Sequence, residues 1–277
     1  MPVALRSRRH IAPFTLHCPE TPAEALALQQ EPGTSAFLAG GMEVIDRLKH
    51  GHTIERLIRL DGIPGLAAID GDTAELRIGA MATHAALAES LCLMCLLPDL
   101  PTLWDSVANP RVRYAGTLGG NVMARRAEYD GLPALLALDA QAEIATAKGS
   151  ERVTLDGLAS PEALVTRFIV PRPGTRRLFA DRSLRPALSL WLGLGMADDR
   201  ITALRVAAGM AHPAPVCIAL SLDLPLAELG AHAAELAAAV TAQLPQPTID
   251  GRAEAAYRQR MVDVLTRRIL IRAGGIV

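Results

Sequence analysis

Two glycine-bearing segments carry the residue types most suited to chemistry. FLAGGMEV runs from Phe37 to Val44 and sets Gly40 and Gly41 directly behind an apolar run. RYAGTLGGNV runs from Arg113 to Val122 and sets Gly116, Gly119 and Gly120 around Thr117 and Asn121. Glycine lets backbone N–H groups approach an anion closely and point at it together. A diphosphate needs several such donors, and Thr117 and Asn121 have the hydroxyl and amide to complete the shell. Singly, each segment reads as readily as a tight turn. Neither is a Gly-x-Gly-x-x-Gly fingerprint nor a Walker loop with its following Lys-Ser/Thr.

Other chemistry-bearing residues have plainer readings. Cys92 and Cys95 are spaced like half a metal site, but SLCLMCLLP is apolar and no second pair completes four thiolates. They are read as buried core thiols, so any iron–sulfur centre belongs to a partner chain. Of the histidines, His50 and His52 form the only close pair and follow Lys49 at a helix end, where the dipole favours them. His84, at a helix start, is open between a surface residue and a group of an acceptor site. Arg258, Arg260, Arg267, Arg268 and Arg272 on the last helix are read as a solvated face, with docking to an acidic partner as the alternative. No Ser-His-Asp arrangement and no carboxylate pair is visible, which suits a protein whose cofactor carries the chemistry.

The elements that must position the loops alternate at first. Thr21-Pro22-Ala23-Glu24 predicts a capped helix, TSAFLA a buried strand, MEVIDRLK a short helix and TIERLIRL a second strand. AELRIGAM predicts a strand, THAALAES and PTLWDSVA helices, and ANPRVRYAGTLGGN a loop. LPALLALDA then QAEIATAKGSERVTL predict helix, strand, turn and strand, with Gly149 in an ordinary hairpin turn. RRLFADRS, ALSLWLGLGM and RITALRVAAGM predict consecutive strands. An Ala-rich helix and a long final helix close the chain.

Composition bounds the partners. Half of the 277 residues are hydrophobic, and 28 Lys+Arg nearly cancel 29 Asp+Glu. That argues against a general nucleic-acid binder, and 3% aromatics leave little for base stacking. No apolar stretch of membrane-spanning length occurs, no targeting segment is recognised, and the four cysteines are no secreted disulfide framework. The expected location is cytoplasmic.

Taken in order, these segments are similar to the FAD-binding middle subunits of the molybdenum hydroxylases, the family of the xanthine dehydrogenase and carbon monoxide dehydrogenase flavoprotein subunits. FLAGGMEVIDRLK resembles their first FAD loop, LRIGAMATHAAL the strand and helix that follow, and VANPRVRYAGTLGGNV their second FAD loop. YDGLPALLALDAQ, RVAAGMAHPAPV and AAYRQRMVDVLTRRIL resemble later segments, so the likeness covers almost the whole chain.

The resemblance implies an α+β fold: a two-subdomain PCMH-type FAD-binding domain over 1–172, divided near residue 62, then a small α+β C-terminal domain over 173–277 with an antiparallel sheet and helices. It implies FAD held by Phe37, Leu38, Ala39, Gly40, Gly41, Met42, Glu43 and Val44 from one side. Gly116, Thr117, Gly119, Gly120 and Asn121 hold it from the other, with Asp130 on the flavin side. It implies a large molybdopterin-binding partner and a small [2Fe–2S] partner, in a dimer of heterotrimers, with electrons passing from the clusters through the flavin to an external acceptor. The alternatives are a stand-alone flavin oxidoreductase or a flavin-less structural subunit. Three positions depart from the pattern. Met42 stands where a Thr or Ser is usual, MARRAEYD replaces a stretch of small residues and brings in Arg125 and Arg126, and Ala180, with Arg182 beyond it, replaces a Lys near the flavin.

Overall fold

The computed structural model describes residues 11–156, 158, 163–181, 187–247 and 253–275; His10 and Arg182 lie outside them. Thr21 starts the first helix by accepting from Glu24 N at 3.2 Å, with Pro22 at its first position. Glu24 Oε2 reaches back to Glu20 N at 2.8 Å, one residue earlier than a standard capping box. This helix, α1 (Pro22–Gln30), follows β1 (Thr15–His17) and precedes β2 (Ser35–Leu38), α2 (Met42–Lys49) and β3 (Arg56–Arg59). The three strands form a parallel sheet in the order β1-β3-β2. Three residues are too few to show alternation, and β1 is unannounced in the sequence pattern.

The middle of the chain builds a five-stranded antiparallel sheet in the order β4-β5-β8-β6-β7. Its strands are β4 (Ile69–Gly71), β5 (Glu75–Gly79), β6 (Gln141–Thr146), β7 (Gly149–Thr154) and β8 (Leu164–Pro171). Between β5 and β6 run six short helices: α3 (His84–Glu89), α4 (Leu91–Leu96), α5 (Asp99–Trp104), α6 (Pro110–Ala115), α7 (Leu118–Met123) and α8 (Gly131–Ala137). Leu76, Ile78, Leu87, Trp104, Leu135 and Phe168 join sheet and helices in one core.

The segment expected as a loop at 108–121 is instead α6 and α7. Asn109 Oδ1 accepts from Val112 N at 3.1 Å with Pro110 next to it, and Thr117 Oγ1 accepts from Gly120 N at 3.1 Å. Each helix is six residues long, too short for a 3.6-residue hydrophobic period to register, so the caps were the only signal.

The C-terminal part is a four-stranded antiparallel sheet in the order β12-β11-β10-β9, made of β9 (Arg176–Asp181), β10 (Ser189–Ala197), β11 (Arg200–Gly209) and β12 (Val216–Pro225). One face sends Leu178, Trp191 and Ala207 into the middle core. The other packs Leu190, Leu192, Leu194, Leu204 and Val206 against α9 (Ala233–Gln243) and α10 (Ala255–Gly274). A strand buried on both faces reads as continuous apolar sequence, as SLWLGLGMA does. Gly193 lets β10 lie against the end of α8, where a Cβ would stand 1.9 Å from Ala137 O. The fold is thus α+β with mainly antiparallel sheets. Among the described residues no helix is long and apolar enough to cross a membrane.

Two readings need correction. Cys95 is exposed and Cys92 only half-buried, because six-residue α4 lies on the outside of the helical layer and presents alternate sides to water. The arginines of α10 are not one solvated face. Arg258 is fully buried and donates from Nε to Ala187 O at 3.0 Å, Arg268 pairs with Asp181, and Arg267 pairs with Asp263 at 2.9 Å. Arg272 lies over the Phe179 ring and donates to Ala180 O at 3.3 Å.

Candidate functional site

The first glycine segment is a strand-to-helix turn. Gly41 has φ +74°, the left-handed region, and is the N-cap of α2. Glycine has no side chain with which to cap, so the first-turn N–H groups of Met42, Glu43 and Val44 are left for another acceptor. Phe37 packs beside Ala25 and Ile58, and Leu38 and Val44 pack on Leu48, Ile54 and Leu57. With those side chains packed inward, Gly40 and Gly41 are half-buried, and Met42 is the residue of this turn most open to solvent. Met42 is 44% exposed and brings no hydroxyl.

The second segment is pressed directly against the first. A Cβ on Gly40 would stand 1.8 Å from Ala115 O and 3.1 Å from Gly116 Cα. A second link spans the loops: Arg126 holds Glu43 at 2.6 Å, and Tyr129 donates its hydroxyl to the same carboxylate at 3.3 Å. Arg125 donates to Leu158 O, so the structure ties both arginines of the MARRAEYD departure to protein acceptors. The expected glycines have separate tasks. Gly119 lies on β5's end, where a Cβ would meet Ala80 O at 2.7 Å; its smallness serves packing. Gly120 faces the first loop, and a Cβ there would meet Thr117 Oγ1 at 3.0 Å and Ala39 Cβ at 4.0 Å. Thr117 is buried beneath it as the α7 cap. Asn121 spends its Oδ1 on Gly131 N at 2.8 Å, starting α8, and so keeps only its amide nitrogen for a ligand.

Behind the loops runs a buried aromatic row that sequence reading missed. His84 Nδ1 accepts from Trp104 Nε1 at 3.1 Å. The Trp104 and Trp191 ring centres are 6.2 Å apart, and Trp191 Nε1 donates to Asp130 Oδ1 at 3.3 Å. The chain has two tryptophans, and both stand in this row. Burial holds the His84 imidazole at a pKa of about 4, so it is neutral at neutral pH. Asp130 is itself 6% exposed and lies at the N-terminus of α8. Beyond Trp191 opens a cavity of about 300 Å³ that Ala180, Asp181 and Arg272 also line. The cation at Ala180's cavity thus comes from the last helix. A Thr-His pair at a helix start beside a Trp twenty residues on was the only sequence trace of this row, since the pairing is tertiary.

Two glycine turns lie in backbone contact, one leading into a helix start without a side-chain cap, an arrangement whose main-chain donors suit a phosphate-bearing ligand. Among the described residues no cluster of three His, Cys, Asp or Glu could hold a metal. Residues 12–173 match the family described as the FAD binding domain in molybdopterin dehydrogenase. The carbon monoxide dehydrogenase medium chain of Afipia carboxidovorans is 30% identical, over 94% of this chain and 96% of its own. A putative xanthine dehydrogenase FAD-binding subunit of Escherichia coli K12 is 27% identical over 93% and 94%. Among solved structures, reconstituted CO dehydrogenase from Oligotropha carboxidovorans superposes with a TM-score of 0.83 at 24% identity, covering 97% of this chain and 100% of that one, which shows a shared fold. The chain belongs to the FAD-binding medium-subunit family of the molybdenum hydroxylases, and is an oxidoreductase subunit.

Proposed function

We propose that this chain holds FAD between its two glycine loops and, within a three-component hydroxylase, takes electrons from [2Fe–2S] clusters of a small partner and passes them to an external acceptor. The observation that carries the reading is the cradle itself: Gly40 seated on Ala115, Gly120 turned towards Ala39, and free first-turn N–H groups on α2. Those residues fit a diphosphate by the chemistry of their donors: a helix start with no side-chain cap and glycines that put no side chain in the way. Bound FAD supplies the capacity to accept electrons one at a time and release them singly or in pairs.

The chain's own residues bind and orient. Main-chain N–H groups of Gly40 to Val44 meet the diphosphate from one side. From the other the Asn121 side-chain amide meets it, while Gly116 and Gly120, whose own N–H groups are bonded to Val112 O and Thr117 Oγ1, contribute faces without a side chain. Glu43, Arg126 and Tyr129 hold the loops together. Asp130, fixed by Trp191, faces the flavin end. The FAD-binding domain spans 1–172, as subdomains meeting near residue 62, and 173–277 forms the C-terminal domain. Organic substrate is oxidised on a large molybdopterin-binding partner, a reading supported by the matching family's description as the FAD binding domain in molybdopterin dehydrogenase. The names of the relatives, medium chain and medium subunit, support a multi-subunit assembly. We place it in the cytoplasm, as a dimer of heterotrimers.

The test is mild affinity purification of the tagged chain from its host. Molybdenum, iron and acid-releasable FAD are expected in the same fraction. Releasable FAD without either metal would favour a stand-alone flavoprotein, and a colourless chain would favour a structural subunit.

A further inference from the structure

His84 belongs to none of the expected site residues, yet its placement is unusual for a core histidine. Thr83 and Thr117, the N-caps of α3 and α7, are joined by an antiparallel bridge, and His84 N donates to Gly116 O at 3.0 Å. The second glycine loop is therefore stitched to the residue before His84 and to His84 itself. The imidazole lies directly behind Gly116: a Cβ at 116 would stand 2.9 Å from Cδ2 and 3.1 Å from Nε2.

The tautomer follows from one hydrogen bond. The indole N–H of Trp104 can only donate, so His84 Nδ1, its acceptor at 3.1 Å, carries no proton. In the neutral ring the proton must then be on Nε2. No acceptor for Nε2–H is found among the described residues, although His84 is only 2% exposed. The buried side-chain atoms that lack both a partner and any access to solvent are His212 Nε2 and Thr266 Oγ1. His84 Nε2 is not among them, so it keeps some access, and it borders the space that a Cβ on Gly116 would fill, at 3.1 Å. A buried N–H donor without a partner is costly unless something accepts from it.

We propose that His84 is a nucleotide-binding residue of this chain, donating from Nε2–H past Gly116 to an acceptor oxygen of the FAD, with Trp104 as the positioning residue that fixes its tautomer. This rests on the cradle being the FAD site. It also gives Gly116 a task beyond backbone approach, because any side chain there would cover the donor. A protonated ring would lose the Trp104 bond, since both nitrogens would then be donors. Burial keeps the neutral form in place.

The experiment uses the full chain, freed of FAD and titrated with FAD, and labelled with 15N at histidine. First, wild type must bind FAD; failure here removes the cradle reading itself. Given binding, the His84 ring is expected to show one tautomer, protonated at Nε2, before FAD is added. On saturation its Nε2–H signal should shift downfield and become slow to exchange. His84→Phe, which has no donor, is expected to raise the FAD dissociation constant about tenfold, as loss of a hydrogen bond of about 1.4 kcal/mol does. His84→Gln keeps an N–H near the Nε2 position and should recover most of that loss. An unchanged Nε2–H signal in FAD-saturated wild type would overturn the proposal, even if His84→Phe fails to fold. So would equal FAD affinity in wild type and a folded His84→Phe.

Discussion

A neutral imidazole fixed between an indole N–H and a glycine has consequences for stability as well as binding. The His84 pKa is lowered to about 4 by burial alone, against an ordinary value near 6.5. A histidine lowered on folding takes up its proton more readily when unfolded. Its full contribution is therefore present above about pH 6.5 and is lost as the pH falls towards 4. The loss approaches about 3 kcal/mol at its limit, one pKa unit being worth 1.36 kcal/mol. His212, also lowered by burial and then by Arg258, acts in the same direction. Denaturant unfolding of wild type and His84→Gln at pH 7 and pH 4.5 checks this. The stability lost by wild type between the two should exceed that of the variant by roughly 2 kcal/mol; parallel losses would show that His84 is not the group responsible.

Loops and short helices are the elements that make the cradle, and glycine substitutions read their geometry. Gly120→Val would push two methyl groups towards Thr117 and Ala39, onto the position we propose for the diphosphate. FAD retention is expected to fall by at least about tenfold while the far-ultraviolet dichroism of the chain stays that of wild type. Gly174→Val is the control, since nothing stands within 4 Å of its Cβ position. Gly149, an ordinary turn on sequence grounds, is unsuited to that purpose. It sits at φ +125°, and valine there would be strained whatever the space around it. Equal FAD content in the Gly120 and Gly174 variants would move the diphosphate away from the second loop.

Across the whole molecule, the C-terminal sheet shares a core with the middle sheet, and the junction depends on close approach of backbones. Gly193 meets Ala137 O, Arg205 Nε donates to Leu136 O at 2.8 Å, and Arg205 and Arg176 both reach Asp139, at 3.0 and 3.3 Å. Gly193→Ala would force β10 off α8 and should destabilise the chain by about 1–3 kcal/mol, as overpacking of a tight core does. Calorimetry should then show a melting temperature lower by several degrees, whereas Gly174→Ala leaves it unchanged. Because Trp191 is on β10 and bonded to Asp130, the same substitution should also weaken FAD retention. If retention were untouched, the C-terminal sheet would have no part in holding the flavin end.

By itself the sequence determined what is local. Thr21 and Pro22 start α1, paired glycines follow an apolar strand at 40 and 41, and the long apolar periods of β10, β11 and α10 mark their elements, because caps, turns and periods act over a few residues. Ordered resemblance of those segments also led to the family. Tertiary structure alone decided what lies between segments: Gly40 on Ala115, Arg126 on Glu43, and Arg258 buried where a solvated face was expected. It also placed His84, Trp104, Trp191 and Asp130 in one buried row. The physical reason is that a side chain's protonation, burial and hydrogen-bond partner depend on groups brought near by folding. For His84 the deciding neighbour is an indole twenty residues away, which no local pattern encodes.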